Sequence, residues 1–439
     1  MSNFLYILAG IFLLGIMVLL HEWGHFIAAK ACGVRVDVFS IGFGTRIWGT
    51  KRGDTDYRIS ALPLGGYVRM AGDNPAEERT GAPYEFLSRP RWQRFIIAVA
   101  GPAANILLTF LIFFGIYALK GTAQDKSVYE SPVVAAVPQN YPASGVKAGD
   151  QILEVNGVAT PDWKKVFEEL SKVAPGNVVS LTVLRSGQTV KLDVPVSNGP
   201  LSPDAIVGYY SLPPIVEEIE PGFPAEKAGL QAGDRVVSID AKTIVTWPQL
   251  RELIRNSDGR TLHFLVHRGD KDVAFDIAPK NTMDPNGQMA WVIGADGKTE
   301  PVFERESLVA AFRDAGSQTA YLTRQIGNVV GGLFRGRVSV TDLAGPVGIV
   351  QLSGQAAKRG TLTFLPWMAY ISLDLGLLNL LPIPILDGGH VLLLLIEGTL
   401  RRDLSVAAKE RFVQVGLVFL LGVFAFVMYS DILRLMQHH

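Results

Sequence analysis

Cysteine is almost absent from this chain, because Cys32 is the only one among its 439 residues. A single thiol cannot close an intrachain disulfide, so a disulfide-held fold is excluded. No catalytic signature surrounds Cys32, and we expect it to be an inert small side chain. An excess of charge is also missing, since 41 Lys and Arg residues balance 41 Asp and Glu residues. This balance gives no reason to expect a nucleic-acid partner.

Long apolar runs are what the chain has in place of these features. Hydrophobic residues make up 48% of it, and a helix of about 20 apolar residues spans the roughly 30 Å hydrocarbon core of a bilayer. Four runs come close to this length, at residues 4–31, 95–119, 362–386 and 413–429. A shorter run at 391–396 either stands alone or continues the third segment. The sequence therefore predicts a multi-pass α-helical membrane protein.

The positions of Lys and Arg predict how the chain is oriented. Residues 32–94 carry ten of them and residues 401–411 carry four, whereas none precedes Lys30. Lys and Arg accumulate on the cytoplasmic side of a membrane. Both termini and the long segment 120–360 should therefore face the periplasm, if the chain lies in a bacterial inner membrane. Because no basic residue precedes Lys30, we also expect that the first segment is not a cleaved signal peptide.

A metal-binding pattern lies inside the first apolar run. His21 and His25 are four residues apart, which places two imidazoles on one face of a helix, and Glu22 lies beside them. This His-Glu-x-x-His spacing is typical of zinc hydrolases in which the Glu is the general base. Such groups are costly to hold in a membrane, so a functional role is the default expectation. We predict that His21 and His25 bind Zn²⁺ and that Glu22 is the catalytic base, toward the cytoplasmic side.

A third metal ligand is needed, because catalytic zinc sites usually have three protein ligands and a water. Asp387 is the candidate, in the stretch NLLPIPILDGGH from Asn379 to His390. Pro382 and Pro384 interrupt a regular helix there, and a broken helix in a membrane is tolerated only inside protein or beside a wet cavity. The alternative is a surface Asp at a helix end. We interpret His390 as structural, and Asn379 as either a polar helix contact or an oxyanion donor.

The long outer segment contains an internal repeat. The AGDQIL run at 148–153 recurs as AGDRVV at 232–237, and Trp163 recurs as Trp247 at the same offset of 84 residues. Both units combine short β-like runs with one helix-like stretch, which indicates a duplicated domain. Each unit resembles a PDZ domain of the bacterial, protease-associated type, and PDZ domains commonly bind an extended peptide as an added strand. The alternative is a spacer or size filter above the membrane site.

Together these motifs resemble the site-2 proteases, which are zinc intramembrane metalloproteases. The resemblance covers essentially the whole chain. It implies four transmembrane segments, a membrane-associated β-hairpin and two extramembrane α/β PDZ domains, with boundaries at 1–122, 123–204, 205–300, 301–361 and 362–439. The residues that carry it are His21 to His25, Asn379 to Gly388, Gly42 to Gly44, Pro63 to Tyr67, Ala100 to Asn105, and Gly345 with Pro346.

The resemblance also implies a substrate class and partners. Members of this family cut single-span membrane proteins, often anti-sigma factors already trimmed on their outer side, and the bacterial branch also clears remnant signal peptides. We therefore expect a transmembrane protein or peptide as substrate and Zn²⁺ as cofactor. Peptide ligands at the PDZ domains and membrane lipid are further expected partners.

A helical substrate must unwind before its peptide bond is attacked, because helical hydrogen bonds occupy its backbone. The run at 57–70 offers two short strands around Gly65 and Gly66. An edge strand that includes Gly65, Gly66 and Tyr67 would bind the unwound substrate by strand pairing. The alternative is a simple cytoplasmic hairpin.

The stretch at 307–334 is amphipathic in places. Phe312, Leu322, Val330 and Leu333 would then lie on the outer membrane surface, where such helices bind lipid. In this interpretation the stretch couples the outer domains to the membrane core. The alternative is a linker helix with no contact to lipid.

Two non-proteolytic functions compete with the protease hypothesis. One is a membrane scaffold that captures peptides through its PDZ pair and retains a vestigial zinc site. The other is a zinc-dependent transporter or sensor. A transporter has no need for Glu22 beside the ligand His, and a scaffold has no need for metal ligands. Both features favour a protease.

Overall fold

The computed structural model describes residues 2–73, 80–138, 145–196, 206–220, 222–283, 288–338 and 345–437. The chain forms two compact units. The first joins Met1–Gly121 with Arg305–His439, and the second is Thr122–Glu304. The α-helices of the described residues are α1 (Ser2–Ala31), α2 (Arg91–Lys120), α3 (Trp163–Leu170), α4 (Pro224–Ala228), α5 (Trp247–Arg255), α6 (Leu308–Phe334), α7 (Pro346–Arg359), α8 (Thr361–Asn379), α9 (Asp387–Leu400) and α10 (Val406–Gln437).

Strands occur in both units. In the described residues they are β1 (Val36–Arg52), β2 (Thr55–Met70), β3 (Thr122–Asp125), β4 (Gln151–Val155), β5 (Val158–Ala159), β6 (Val178–Arg185), β7 (Gln188–Pro195), β8 (Val216–Ile219), β9 (Arg235–Ile239), β10 (Lys242–Thr243), β11 (Leu262–Arg268), β12 (Lys271–Ile277), β13 (Lys280–Met283), β14 (Met289–Val292), β15 (Ala295–Gly297) and β16 (Pro301–Glu304).

Four helices of the described residues are long and apolar enough to cross a membrane. They are Tyr6–Ala31, Arg91–Lys120, Thr361–Asn379 and Val406–Tyr429. Four spans were predicted, but the third ends at Asn379 rather than at residue 386. Pro382 and Pro384 follow this end, and proline cannot continue the helical hydrogen-bond ladder. The short apolar run at 391–396 belongs to a separate helix, α9.

The region between α1 and α2 is larger than the hairpin expected from the sequence. β1 and β2 pair twice along their length, because residues 36–43 contact both 56–59 and 62–70. The outer half of β1, 46–52, pairs with 55–60. The two strands thus fold into four paired segments in the order 46–52, 55–60, 36–43 and 62–70. The outer two pairs are antiparallel, whereas 55–60 and 36–43 run parallel. The segment 62–70 lies at one edge of this sheet.

The membrane helices of the first unit pack through small and apolar side chains. One core cluster joins Phe113 of α2 with Ala369 and Leu373 of α8, and α6 contributes Leu322 and Ile326 to it. Leu322 was expected on the outer membrane surface, and this expectation is wrong because the side chain is buried between helices. Phe312, by contrast, is exposed.

The second unit contains two sheets with the same topology. One has the strand order β5-β4-β6-β7 and the other β10-β9-β11-β12. A helix beginning at Trp163 or Trp247 packs on each, and both tryptophans are buried. The repeat expected from the 84-residue offset is therefore present in the structure. The PDZ assignment and the domain boundaries remain predictions, and the boundary at 204/205 and Pro142 of the first motif lie outside the described residues.

The repeat extends to a buried ion pair in each half. Asp150 receives hydrogen bonds from Nε and Nη2 of Arg185, and Asp234 receives the same two from Arg268. Burial alone would raise the pKa of Asp150, but hydrogen bonds from Arg185 and the backbone of Lys147 outweigh it and lower that pKa. The Asp of each AGD run thus anchors its own sheet, which gives the repeated motif a structural role.

Candidate active site

Helix α1 brings two imidazoles together inside the membrane half. His21 and His25 are one helical turn apart and both are buried, with 7% and 8% of their surface exposed. Their Nε2 atoms lie 3.2 Å apart. Asp387, at the first turn of α9, approaches the same two atoms. Its Oδ2 lies 3.0 Å from Nε2 of His21 and its Oδ1 lies 3.3 Å from Nε2 of His25.

These three side chains fit the donor set of a catalytic zinc ion. Two neutral imidazole nitrogens and one carboxylate are ligands that zinc takes in hydrolases. Zinc binds such nitrogens at about 2.0–2.1 Å, so two ligand atoms of a tetrahedral site lie roughly 3.3 Å apart. The measured separations of 3.0, 3.2 and 3.3 Å agree with this spacing. No other group of three His, Cys, Asp or Glu in the described residues converges in this way.

The turn between α8 and α9 delivers Asp387 to the histidines. Ile385, two residues before Asp387, has a φ of +82°. This left-handed backbone conformation is strained for a β-branched residue. A Cβ at Gly388 or Gly389 would collide with the carbonyls of Leu381 or Ile383. These glycines let the start of α9 pack directly on the preceding turn. The alternative of a surface Asp does not fit, because the Asp387 side chain is only 19% exposed.

Helix α2 lies behind the two imidazoles and contacts both. Nδ1 of His25 donates to the carbonyl oxygen of Ile97 at 2.7 Å. Nδ1 of His21 lies 3.3 Å from the amide nitrogen of Asn105. A Cβ at Gly101 would lie 2.8 Å from Nε2 of His21 and closer still to Nε2 of His25. No contact with the histidines was predicted for these residues, although Gly101 and Asn105 belong to a stretch that carries the family resemblance. The spacing of 97, 101 and 105 follows one helix face.

Glu22 is held by the strand that passes α1. Its Oε2 accepts a hydrogen bond of 3.0 Å from the backbone N–H of Val68 in β2. Glu22 and Val68 line a cavity of about 520 Å³ together with His21, His25 and Asp387. Glu22 therefore faces the same space as the three candidate ligands, with one oxygen anchored by the sheet.

The other residues predicted for the site lie at different distances from it. Asn379 and His390 line the cavity, and His390 does not belong to the converging trio. Gly65, Gly66 and Tyr67 lie in β2 outside the cavity lining. A Cβ at Gly65 would lie 3.3 Å from Cγ1 of Val18, which does line the cavity, and the Tyr67 ring stacks on Phe43.

Comparison with known proteins decides the family. The model of peptidase family M50 matches residues 9–423. The chain belongs to peptidase family M50. Its relatives include the regulator of sigma-E protease RseP of Escherichia coli K12, which is 31% identical over 99% of this chain and 100% of that protein. Protease RseP of Yersinia pestis is 30% identical over 96% of this chain and 97% of its own length.

A further relative of this M50 chain carries the metal in its name. A Neisseria meningitidis protein whose name includes zinc metalloprotease is 31% identical over 98% of this chain and 99% of its own length. The M50 chain is therefore a zinc-dependent metalloprotease of the site-2 type. Its four apolar helices and its sheets of short strands fit a membrane protein with β domains outside the membrane.

Proposed function

We propose that this M50 protease cleaves single-span membrane proteins within their membrane segment, with His21, His25 and Asp387 as its zinc ligands. The main support for the proposal is that the ligand atoms of these three side chains lie close enough together to bind a single zinc ion. Anti-sigma-factor-like proteins are the proposed substrates, and remnant signal peptides are a further candidate. The proposed location is a bacterial inner membrane.

Glu22 is the proposed general base and acid. Bound zinc supplies Lewis acidity, which makes a water at the site easier to deprotonate. Glu22 takes the proton of the attacking water and passes it to the amine that leaves. The N–H of Val68 holds Oε2 of Glu22, so Oε1 is the oxygen that exchanges the proton. The hydrogen bond to Oε2 therefore holds the carboxylate in place and leaves Oε1 available for proton transfer.

Asn379 is the proposed contact for the substrate carbonyl. Asn379 is the last residue of α8 and lines the cavity. Its amide N–H group would donate to the carbonyl oxygen as negative charge develops on it. A preorganised donor of this kind stabilises the transition state more than the substrate.

Strand β2 is the proposed binding edge for the unwound substrate. The segment 62–70 is an edge of its sheet, and Val68 and Met70 on it line the cavity. The N–H of Val68 and that of Met70 are already bonded to Glu22 and Asp73. The part of the edge that remains free to pair with a substrate is therefore centred on Gly65, Gly66 and Tyr67, which precede the residue bonded to Glu22.

The outer unit is proposed to be a pair of PDZ domains on the periplasmic side, with the termini, while the zinc site lies toward the cytoplasm. The repeated sheets and the charge of the short loops support this assignment. The proposed role of the pair is to select substrates, either by size or by binding peptides.

The ligand assignment is tested by zinc analysis of the purified full chain. His21→Ala, His25→Ala and Asp387→Asn should each lose zinc and cleavage of a tagged single-span substrate. His390→Ala is the matched control, because His390 lines the cavity outside the trio, and it should retain zinc. Full zinc content in Asp387→Asn would remove Asp387 from the ligand set. Zinc binding with no hydrolysis of any single-span protein would instead favour the scaffold.

A further inference from the structure

Asn105 has an unusual environment in helix α2. It is fully buried, and its amide nitrogen lies 3.3 Å from Nδ1 of His21. Its amide oxygen is buried without a hydrogen-bond partner among the described residues. A buried carbonyl oxygen without a hydrogen-bond partner destabilises a fold and requires an explanation.

The backbone around Asn105 is fixed by two neighbouring elements. The carbonyl oxygen of Asn105 accepts hydrogen bonds of 3.0 Å from both Thr109 and Ser372. Thr109 also donates to the carbonyl of Ala369 in α8 at 2.9 Å. The side chain of Asn105 is therefore held beside His21 by the contact between α2 and α8.

The chemistry of a ligating histidine decides which end of the amide should face it. Nε2 of His21 points at Asp387, so a bound metal would take the lone pair of Nε2. The ring proton then resides on Nδ1, which becomes a donor. An amide nitrogen cannot accept that proton, but an amide oxygen can. The two ends of a carboxamide are nearly the same in shape, and a half-turn exchanges them.

We propose that Asn105 is a positioning residue for His21, whose Oδ1 accepts the Nδ1–H of that imidazole when zinc is bound. Ile97 does the same for His25 through its backbone carbonyl oxygen. One helix would thus orient both imidazoles and fix their tautomers. The inference rests on the proposed ligand set, because it requires His21 to bind the metal through Nε2.

Two substitutions of similar size separate an acceptor from a packing role. Asn105→Asp keeps an acceptor at this place, and Asn105→Leu fills the same space without one. Zinc affinity of the full chain in detergent is measured by competition with a chelator. Loss of a hydrogen-bond partner of a ligating histidine typically weakens metal binding about 10–100-fold. We expect that loss for Asn105→Leu, and an affinity within a few-fold of wild type for Asn105→Asp.

Three outcomes would overturn the proposal. Wild-type zinc affinity in Asn105→Leu would mean that no acceptor is needed. Equal losses in Asn105→Asp and Asn105→Leu would mean that the amide donates or only packs. If Asn105→Leu fails to fold, Asn105→Ala takes its place, because it cannot clash, and unchanged affinity there would again contradict the proposal.

Two further variants complete the design. Ser372→Ala removes one of the two hydrogen bonds to the backbone carbonyl of Asn105 but keeps the one from Thr109 and the Asn105 side chain itself, so its zinc affinity should stay within a few-fold of wild type. His21→Ala distinguishes a failure of the proposed ligand set from a failure of the proposed role of Asn105. If His21→Ala retains zinc, the proposed ligand set fails; if it loses zinc while Asn105→Leu keeps it, only the role of Asn105 fails.

Discussion

Single residues in α2 decide how closely this helix approaches the zinc ligands. At Gly101 the helix has no side chain, and the two Nε2 atoms occupy the space that a Cβ would take. Gly24 has the same role from the other side, since a Cβ there would lie 2.9 Å from Cβ of Ala104. The His-Glu-x-x-His helix and α2 therefore approach through a pair of glycines.

Gly101→Ala should lower zinc content and cleavage together. The added methyl group would displace one or both ligand nitrogens, and a ligand moved out of a tetrahedral site no longer binds zinc well. The measurement is metal content of the purified chain alongside cleavage of a tagged single-span substrate. Gly115→Ala is the matched control, because it lies in the same helix with no atom within 4 Å of its Cβ position. Equal zinc in both variants would contradict the close approach.

The sequence was sufficient to predict that His21, His25 and Asp387 lie together, but not what supports them. The spacing of His21 and His25 fixes their relation within one helix, and the broken segment around Pro382 identified Asp387 although it lies 366 residues from His21. Asn105 and the N–H of Val68 were not predicted in these roles. Their contacts depend on the rotation of α2 and the register of β2 against α1, which no local pattern determines.

Among the elements, α10 is the least buried of the four membrane helices and is tied to the core by a few polar contacts. Glu397 of α9 is buried. Its Oε1 lies 2.7 Å from Nζ of Lys409, and its Oε2 lies 3.7 Å from Nη1 of Arg94. This cluster joins α2, α9 and α10. At the other end, Asp431 of α10 accepts the backbone N–H groups of Gly345 and Val347 at the start of α7.

Glu397→Gln should destabilise the first unit. It leaves Arg94 and Lys409 without the carboxylate between them, and breaking a buried ion pair in this way costs about 3–5 kcal/mol. We expect a lower midpoint of thermal unfolding in detergent. Glu410→Gln removes an exposed carboxylate from α10, the helix that carries Lys409, and should shift the midpoint little. Equal midpoints for the two variants would show that the cluster is not needed for stability.

Val68→Pro separates two roles of strand β2. Proline removes the N–H that Glu22 accepts, so kcat should fall while zinc is retained. If the edge also binds substrate by strand pairing, KM should rise as well. The measurement is the steady-state rate of cleavage of a detergent-solubilised substrate over a range of substrate concentrations. An unchanged kcat would contradict the anchoring of Glu22, and a lower kcat with unchanged KM would mean that Val68 acts through Glu22 alone.

The four-segment sheet around β2 was predicted only as a hairpin. The sequence pattern of 57–70 indicated two short strands, because Gly65 and Gly66 interrupt the run. It did not show that β1 contacts β2 twice, because no local pattern determines which half of one strand pairs with which half of the other. The connector helix α6 was a similar case, because amphipathic spacing cannot distinguish a lipid surface from a groove between helices.

At the scale of the whole molecule, the second unit begins and ends with residues that pair with each other. Thr122 in β3 pairs with Glu304 in β16, and directly paired residues of antiparallel strands lie about 5 Å apart. A short linker can therefore replace the unit from Thr122 to Glu304 without pulling the flanking helices apart.

Replacing 122–304 by a short Gly-rich linker should preserve the zinc site, because His21, Glu22, His25 and Asp387 all belong to the first unit. If the unit is a size filter, the shortened chain should gain cleavage of substrates with a large outer domain. A substrate with a short outer segment is the control and should be cut equally by both chains. Loss of zinc, or loss of cleavage of the short substrate, would contradict a purely selective role.

The most direct test of the account compares wild type with Glu22→Gln in membranes that contain a tagged single-span substrate. The substitution keeps the size of the side chain and the three proposed zinc ligands, but it removes the proton acceptor. A general base contributes about 10²–10⁴-fold to a reaction rate. We predict that zinc content stays at the wild-type level while cleavage falls by at least about 10²-fold. Equal cleavage by the two chains would contradict it, because the chemistry would then lie away from Glu22.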